Sequence, residues 1–161
     1  MSAIISNCGL YRYRLGRSFS KPGIRFAYFG VNPSTADADL DDQTVMKWRG
    51  FTDRNCGAGF VVGNVFAYRA TNVKELAGVE DPVGPLNASH LTDIMTYADI
   101  LVPCWGDRAK VPKDLRRQFD IMTARLFCTG KPVMAFGSTK GGDPKHPLML
   151  AYDTELVAWK R

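Results

Sequence analysis

Residues 24–31 form a nearly unbroken run of apolar and aromatic side chains, which only Arg25 and Gly30 interrupt. Such a run is typical of a strand that is buried on both faces of a parallel sheet. It stops abruptly at the polar sequence NPST, residues 32–35, where the proline cannot continue a ladder of backbone hydrogen bonds. The sequence therefore predicts a central strand that ends in a polar turn at the edge of a sheet.

Three further apolar runs follow, and each of them also ends in polar or aromatic residues. They cover residues 60–64, 99–104 and 132–136. Helix signals lie between the runs, at residues 42–55, 86–97 and 115–126, with a short helical turn at 73–77. Because strands alternate with helices, the sequence predicts an α/β fold: a three-layer α/β/α sandwich with a four-stranded, mainly parallel sheet.

Residues 11–19 alternate aromatic or apolar side chains with arginine, which is typical of a half-exposed strand. The turn at residues 21–23 leads from this stretch into the central strand, so we expect the two to pair as an N-terminal β-hairpin. Residues 156–159 are expected to add a final edge strand. The chain contains no internal repeat or linker, and residues 1–161 are predicted to form a single domain.

The composition is that of an ordinary globular protein, with 45% hydrophobic and 23% charged residues. No apolar run is long enough to span a bilayer, and the N-terminus lacks the basic and apolar regions of a secretion signal. We therefore expect a cytoplasmic protein without a membrane partner. The four cysteines form no CxxC pair and only two histidines are present, so neither a metal site nor a disulfide framework is expected.

The net charge of +5 modestly favours polyanionic partners. Basic residues crowd the N-terminal end, whereas aspartates cluster between residues 37 and 42. The acidic cluster either binds a metal or forms a solvated loop and a helix cap. Residue type favours the second interpretation, because Asp41 or Asp42 is well suited to cap the helix that follows.

The ends of the four predicted strands should meet at one edge of the sheet, where ligands bind in open α/β folds. Gly30 would let a ligand approach the backbone, and Asn32 supplies a donor and an acceptor, although an asparagine there is also typical of a turn that caps its own backbone. Amides recognise the edge of a nucleobase, aromatic rings stack on it and cations bind phosphate, so this edge favours a nucleotide or nucleic-acid ligand. The candidate ligand-binding residues are Gly30, Pro33, Ser34, Thr35, Asn64, Phe66, Tyr68, Arg69, Trp105, Arg108, Ser138, Thr139 and Lys140, beside Asn32 and His146.

Two common catalytic motifs do not occur. The glycine-rich loop at residues 137–142 lacks the GxxxxGK[ST] pattern and a following helix, which disfavours a nucleoside triphosphatase. No GxSxG sequence is present, which disfavours a serine hydrolase. His90 is predicted to lie on a helix surface without a role. His146, in a loop between two prolines, either acts in catalysis or binding or belongs to a plain loop.

Nearly the whole chain carries a series of short segments: RYRLGR, GVNPSTADAD with DDQTV, NVFAYRAT, KEL, DPVGP, WG and HPL. In this order they closely resemble a bacterial and phage family known as domain of unknown function 1643. This resemblance names a family without implying a reaction.

A second resemblance concerns four segments at the predicted strand ends. They are Gly30-Val31-Asn32-Pro33, Asn64 in VVGNVFAYRAT, Trp105-Gly106 and His146-Pro147. Their order and placement resemble the motifs of uracil-DNA glycosylases of the mismatch-specific and single-strand-selective types. Two positions depart from those motifs. Ser34 replaces a glycine, which alters the pocket floor, and Leu148 replaces a serine that is expected to grip a DNA phosphate.

The second resemblance implies a uracil-DNA-glycosylase-like fold and a nucleobase-recognising protein. The implied reaction is hydrolysis of an N-glycosidic bond in DNA or in a nucleotide, without metal or cofactor. Asn32 would position the attacking water, Asn64 would hold the base edge, and His146 would stabilise negative charge on the leaving base. Further implied roles are stacking on the base, by Phe66 or Tyr68, and an apolar wedge in DNA, by Leu148 or Met149.

Two alternatives stay open. A non-catalytic binding protein that sequesters a nucleotide or a nucleotide-derived signal would use the same pocket, with Arg69, Arg108 and Lys140 as phosphate clamps. A nucleotide-processing enzyme that acts on small molecules would use it as well. Among nucleic acids DNA is favoured over RNA, and the sequence leaves open which base is bound and whether the chain forms homo-oligomers.

Overall fold

The computed structural model describes residues 1–34 and 39–160, and the predicted α/β fold class is confirmed. The strands are β1 (Ser2–Ile5), β2 (Arg12–Ser18), β3 (Ile24–Gly30), β4 (Gly57–Asn64), β5 (Ile100–Pro103), β6 (Met134–Ala135) and β7 (Val157–Ala158). The α-helices are α1 (Gln43–Arg54), α2 (Asn87–Tyr97) and α3 (Arg117–Cys128), and 3₁₀ turns cover Val73–Gly78, Arg108–Lys110, Lys113–Leu115 and Pro147–Met149. Within the two described ranges, no helix has the length and apolar character needed to cross a bilayer.

Five strands form one mixed sheet in the order β1-β2-β4-β3-β5. β4, β3 and β5 run parallel, whereas β2 pairs antiparallel with β4 and β1 pairs antiparallel with β2. The parallel register places Gly30 opposite Asn64 and Phe29 opposite Pro103. The carboxyl ends of the three parallel strands therefore meet at one edge of the sheet.

The prediction of a four-stranded, mainly parallel sheet is wrong. The expected fourth strand, residues 132–136, is reduced to β6, which pairs antiparallel with β7 outside the main sheet. One parallel bridge, between Val133 and Leu101, links this segment to β5. The carbonyl of Pro132 accepts the N–H of Leu101 at 3.0 Å on one edge of this segment, and the carbonyl of Val133 accepts the N–H of Trp159 at 3.0 Å on the other edge. The segment therefore lies between β5 and the C-terminal segment, with which it pairs through β7.

The predicted hairpin between β2 and β3 is also wrong. β2 pairs with β4, from Leu15 opposite Val62 to Ser18 opposite Gly59, and both edges of β3 are occupied by β4 and β5. The N-terminal hairpin is formed by β1 and β2 instead. The connection at Gly23 has a φ of +154° and passes so close to the start of β4 that an added Cβ would lie 2.2 Å from the carbonyl oxygen of Cys56.

Helices cover both faces of the main sheet. Tyr28 of β3 belongs to the same buried cluster as Phe51 of α1. The next residue, Phe29, points to the opposite face, where it shares a buried cluster with Ile94 of α2 and Phe119 of α3. Because side chains alternate along a strand, β3 separates the core into two halves, one under α1 and the other under α2 and α3.

The sequence determines where α1 begins and which face it buries. The carboxylate of Asp42 accepts the N–H of Val45 at 2.9 Å, as expected for an N-cap. Val45, Trp48 and Phe51 follow at helical spacing and are all buried. The Phe51 ring packs 4.3 Å from the ring of Phe136, centroid to centroid. These contacts fix the helix over the sheet.

We expect Phe51→Ala to lower the free energy of unfolding by about 3–5 kcal/mol, because it opens a cavity between α1 and the sheet. Met46→Ala is the matched control on the same helix. Met46 is 58% exposed, so its truncation should change the free energy of unfolding by less than about 0.5 kcal/mol. Urea denaturation followed by circular dichroism measures both values. Equal losses for the two variants would contradict this anchoring role of Phe51.

Candidate functional site

A pocket of about 470 Å³ opens at the carboxyl ends of β3, β4 and β5. Its size and its position at this edge of the sheet are those of small-ligand sites in α/β proteins. The lining residues are Arg12, Gly30, Val31, Asn32, Ser34, Asp42, Thr44, Trp48, Asn64, Thr71, Asn72, Val73, Trp105, Asp107, Lys110, Val111 and His146. The pocket therefore draws on every strand end of the parallel part of the sheet and on the start of α1.

Six of the residues predicted from the sequence line this pocket together. They are Gly30, Asn32, Ser34, Asn64, Trp105 and His146. Thr35 lies outside the described residues. The turn after β3, the ends of β4 and β5, and the loop before the last 3₁₀ turn thus converge, although His146 is separated from Asn32 by more than one hundred residues of chain.

The other predicted site residues lie away from the pocket lining. Phe66 is fully buried and packs edge-on against Phe119, and Tyr68 packs edge-on against Tyr11. Arg108 donates to the carboxylates of Asp143 and Asp120 at 2.7 and 2.8 Å. The remaining ones are Pro33, which is buried, Arg69, which lines a smaller depression that adjoins the pocket at Ser34 and Thr71, and Ser138, Thr139 and Lys140 in the loop after β6.

The side chain of Asn64 lines the pocket and lies beside Gly30. Asn64 is 3% exposed, and no described residue makes a hydrogen bond to its side-chain amide. A Cβ built on Gly30 would lie 2.9 Å from the Asn64 Oδ1 atom, so a residue larger than glycine would push the amide from this position. Because this amide lines the pocket, its donor and acceptor are available to a ligand.

Asn87, the first residue of α2, holds the backbone that carries Asn64. It is fully buried, and its Nδ2 donates to the carbonyls of Asn64 and Val65 at 3.1 and 3.3 Å. The sequence analysis did not find this residue. Its helical position gives no sign of a contact with a strand end that lies more than twenty residues earlier in the chain.

Asn32 is fixed by its amide nitrogen. Its Nδ2 donates to the carbonyl of Pro33 at 3.0 Å and to that of Ala70 at 2.7 Å. Both amide hydrogens are therefore used within the protein, and the Oδ1 atom is left as an acceptor for a ligand or a water molecule.

Two tryptophan rings line the pocket and are otherwise buried. Trp48 of α1 is 4% exposed and stacks on Tyr28, whereas Trp105 is 3% exposed and packs edge-on against Trp159. Among the described residues, the Nε1–H of Trp105 has no acceptor. These rings provide flat apolar surface next to the Asn64 amide.

His146 presents a neutral imidazole to the pocket. Its Nδ1 accepts the backbone N–H of Leu148 at 3.3 Å, which places the ring proton of the neutral form on Nε2. Burial lowers the pKa of His146 below its ordinary value, and the positive charge of Lys110 lowers it further, whereas the carboxylate of Asp42 raises it. At neutral pH the Nε2–H is therefore a hydrogen-bond donor on an uncharged ring.

Four charged side chains outside the list of predicted ligand-binding residues also line the pocket. Arg12 is 3% exposed, whereas Lys110 and Asp107 lie exposed at the rim, and Asp42 is half-buried at the start of α1. The arginine-rich pattern of β2 was visible in the sequence, but its position at the pocket follows from the pairing of β2 with β4.

The described part of the acidic cluster forms salt bridges and caps. Asp41 accepts from the guanidinium of Arg17 at 2.6 Å and lies 3.5 Å from that of Arg49, and Asp42 caps α1. Asp37 lies outside the described residues. Within the described residues, no group of three or more metal-ligating side chains comes together.

A family model with the description "Protein of unknown function (DUF1643)" matches residues 12–148. The matched range contains every residue that lines the pocket, from Arg12 to His146. No curated protein and no solved structure matches the chain.

The charges around His146 predict the direction in which two variants shift its pKa. Asp42→Asn should lower the pKa, because asparagine keeps the N-cap hydrogen bond but removes the negative charge that favours the imidazolium. Lys110→Met should raise it, because it removes a repelling positive charge. NMR titration of the imidazole signals measures both shifts, with His90 as the internal reference. A shift in the same direction for both variants would contradict this arrangement.

Proposed function

We propose that this chain, which belongs to the DUF1643 family, recognises a nucleobase-containing ligand through the amide of Asn64. The pocket that would bind this ligand is lined entirely by residues within the range that the family model matches. The reaction that we propose is metal-independent hydrolysis of the N-glycosidic bond of that ligand. The observation that carries the proposal is the buried Asn64 amide, which has no hydrogen-bond partner among the described residues and lines the pocket.

A nucleobase matches the unmet hydrogen bonds of Asn64. An unpaired buried donor or acceptor costs about 1–3 kcal/mol, and the edge of a base offers a donor and an acceptor side by side, as the amide does. Trp48 and Trp105 supply aromatic surface beside this amide and replace Phe66 and Tyr68 as the candidates for contact with the base.

Asn32 and His146 support a hydrolytic reaction on the bound ligand. The Oδ1 of Asn32 can accept a hydrogen bond from water, and the two bonds of its Nδ2 hold that oxygen in place. The Nε2–H of a neutral His146 can donate to a base that leaves with negative charge. Water would attack the sugar carbon, the C–N bond would break with its electrons going to the base, and the proton lost by the water would pass to that base, which leaves a sugar hydroxyl and the free base.

The uracil-DNA-glycosylase-like fold is part of this proposal. It is supported by three parallel strands whose ends carry the Asn32, Asn64 and Trp105 segments in the expected order. For a DNA substrate, Met149 is the proposed wedge: it is 89% exposed on the 3₁₀ turn that directly follows His146.

A second candidate function is sequestration of a nucleotide without turnover. The observation in its favour is the pair of hydrogen bonds that Asn32 donates to the carbonyls of Pro33 and Ala70. These bonds can serve only to stabilise the turn after β3, without a role in catalysis. In that case the pocket would bind the same class of ligand and return it unchanged.

We expect two variants to separate binding from turnover. Asn64→Leu should weaken binding by about 5- to 150-fold, because the base edge loses its partners. Asn32→Ala should leave binding nearly unchanged and lower turnover by about two to three orders of magnitude. The assays are calorimetric binding and release of free base from uracil-containing DNA and from a panel of nucleotides.

Asn55→Leu is the control for loss of an asparagine side chain as such, since within the described ranges the Asn55 amide bonds only the carbonyl of Phe51, at the end of α1. Binding by Asn64→Leu at the wild-type level would refute recognition through Asn64. If the wild type releases no base from any substrate but returns a tightly held nucleotide unchanged on denaturation, sequestration replaces hydrolysis.

A further inference from the structure

We propose that Asp143 is a positioning residue that holds His146 in place at the pocket, and that it acts through Arg108. The inference rests on the proposed function, because it deepens the role of His146 in that site. Asp143 is a buried carboxylate, 3% exposed, to which the proposed reaction gives no task. Arg108, which the sequence favoured as a phosphate clamp, donates to Asp143 and does not line the pocket.

Asp143 binds Arg108 through both of its carboxylate oxygens. Oδ2 accepts the backbone N–H of Arg108 at 3.0 Å, and Oδ1 accepts the Nε–H of its guanidinium at 2.7 Å. Because the carboxylate is buried, salt screens this ion pair less than it screens pairs on the surface. Hydrogen bonds between charged groups are also roughly twice as strong as those between neutral groups. The pair therefore fixes both the backbone and the side chain of Arg108.

The ion pair joins two loops that both contribute to the pocket. They are the loop after β5, residues 104–111, and the loop after β6, residues 136–146, and their pocket residues are Trp105, Asp107, Lys110, Val111 and His146. The N–H of Gly106 in the first loop donates to the carbonyl of Pro144 in the second at 2.8 Å. Gly106 has a φ of +76°, and a Cβ added to it would lie 3.3 Å from the Cβ of His146. The two loops are therefore in direct contact at His146.

His146 depends on this junction, because no other element anchors its ring. Among the residues that the structure describes, its imidazole makes a hydrogen bond only with the N–H of Leu148, in the turn that directly follows. The backbone of the loop after β6 therefore sets the position of the ring, and Asp143 ties that backbone to Arg108. Arg108 in turn donates to the carboxylate of Asp120 on α3 at 2.8 Å. The series of contacts that begins near His146 thus ends on a helix of the core.

The position of the loop after β5 also determines the charge next to His146. Burial is the main cause of the lowered pKa of His146, the positive charge of Lys110 lowers it further, and the carboxylate of Asp42 raises it. Arg12 and Asp107 are the other charged side chains of the described residues that line the pocket. Lys110 lies in the loop after β5, and the repulsion between two charges depends on the distance between them. The effect of Lys110 on the imidazole therefore reports how closely the two loops are held together.

The test measures by NMR titration how far Lys110→Met raises the pKa of His146, in the wild type and in Asp143→Asn. Asparagine keeps the size of the side chain but removes the negative charge, and its amide nitrogen cannot accept a hydrogen bond from Arg108. We expect the rise in Asp143→Asn to be about half of the rise in wild type, or smaller, because the loops are held less closely. Comparing the same substitution in two backgrounds cancels the direct effect of the Asp143 charge on the ring.

Asp99→Asn is the matched control background. The Asp99 carboxylate accepts the backbone N–H of Arg25 at 2.9 Å and its guanidinium at 2.6 Å, which is the same pattern of bonds. This pair lies directly before β5, at the other end of that strand from the pocket. Lys110→Met should therefore raise the pKa of His146 in Asp99→Asn as much as it does in wild type.

Arg108→Lys provides a second background should Asp143→Asn not fold, because lysine keeps the positive charge but lacks the fork of donors that binds two carboxylates. An equal rise in the pKa of His146 in wild type and in these variants, or no rise in any of them, would overturn the positioning role. Turnover tests the proposed function separately. If wild type releases base, Asp143→Asn should lower kcat by about 10- to 100-fold with little change in KM, and an unchanged kcat would also overturn the role. If wild type releases no base but the rise still depends on Asp143, hydrolysis is refuted and the positioning role stands.

Discussion

The parallel pairing of β3 with β4 is the constraint on which the pocket depends. It places Gly30 opposite Asn64, and a Cβ at residue 30 would lie 2.9 Å from the Asn64 oxygen, so a larger residue there would displace the Asn64 side chain. A shift of the register by one residue would turn Asn64 to the opposite face of the sheet. On that face, a Cβ at Gly63 would lie 2.7 Å from the side chain of Leu91, so the packing of α2 disfavours a larger side chain there.

The antiparallel strand β2 contributes a charged residue, Arg12, to the pocket, whereas Asn32, Asn64 and Trp105 follow or end the parallel strands. Because β2 pairs with β4 and runs in the opposite direction, its first residue, Arg12, comes to the end of the sheet where β4 terminates. Arg17 in the same strand is 2% exposed and bonds Asp41, just before the cap of α1. One arginine-rich strand thus both lines the pocket and holds the helix whose amino end faces it.

The features that depend only on neighbouring residues in the chain could be predicted from the sequence. The apolar run of β3, the cap at Asp42 and the helical spacing of Trp48 are local patterns, and the rule that ligands meet strand ends brought Asn32, Asn64 and Trp105 together. The strand pairings were not predictable in this way, because they depend on which edges other strands already occupy. Side-chain directions were equally out of reach: Arg108 turns to Asp120 and Asp143, which lie 12 and 35 residues away.

The hydrogen bonds of Asn87 make α2 part of the energetics of the pocket. Any local opening that withdraws this side chain leaves the carbonyls of Asn64 and Val65 without partners in a buried position and frees the strand end that holds the amide. A ligand that bound Asn64 would therefore be thermodynamically linked to closure of α2, and each would favour the other by the same free energy. The amide hydrogens of α2, a helix on the far face of the sheet from α1, would then exchange more slowly when the pocket is occupied, although α2 would not contact the ligand.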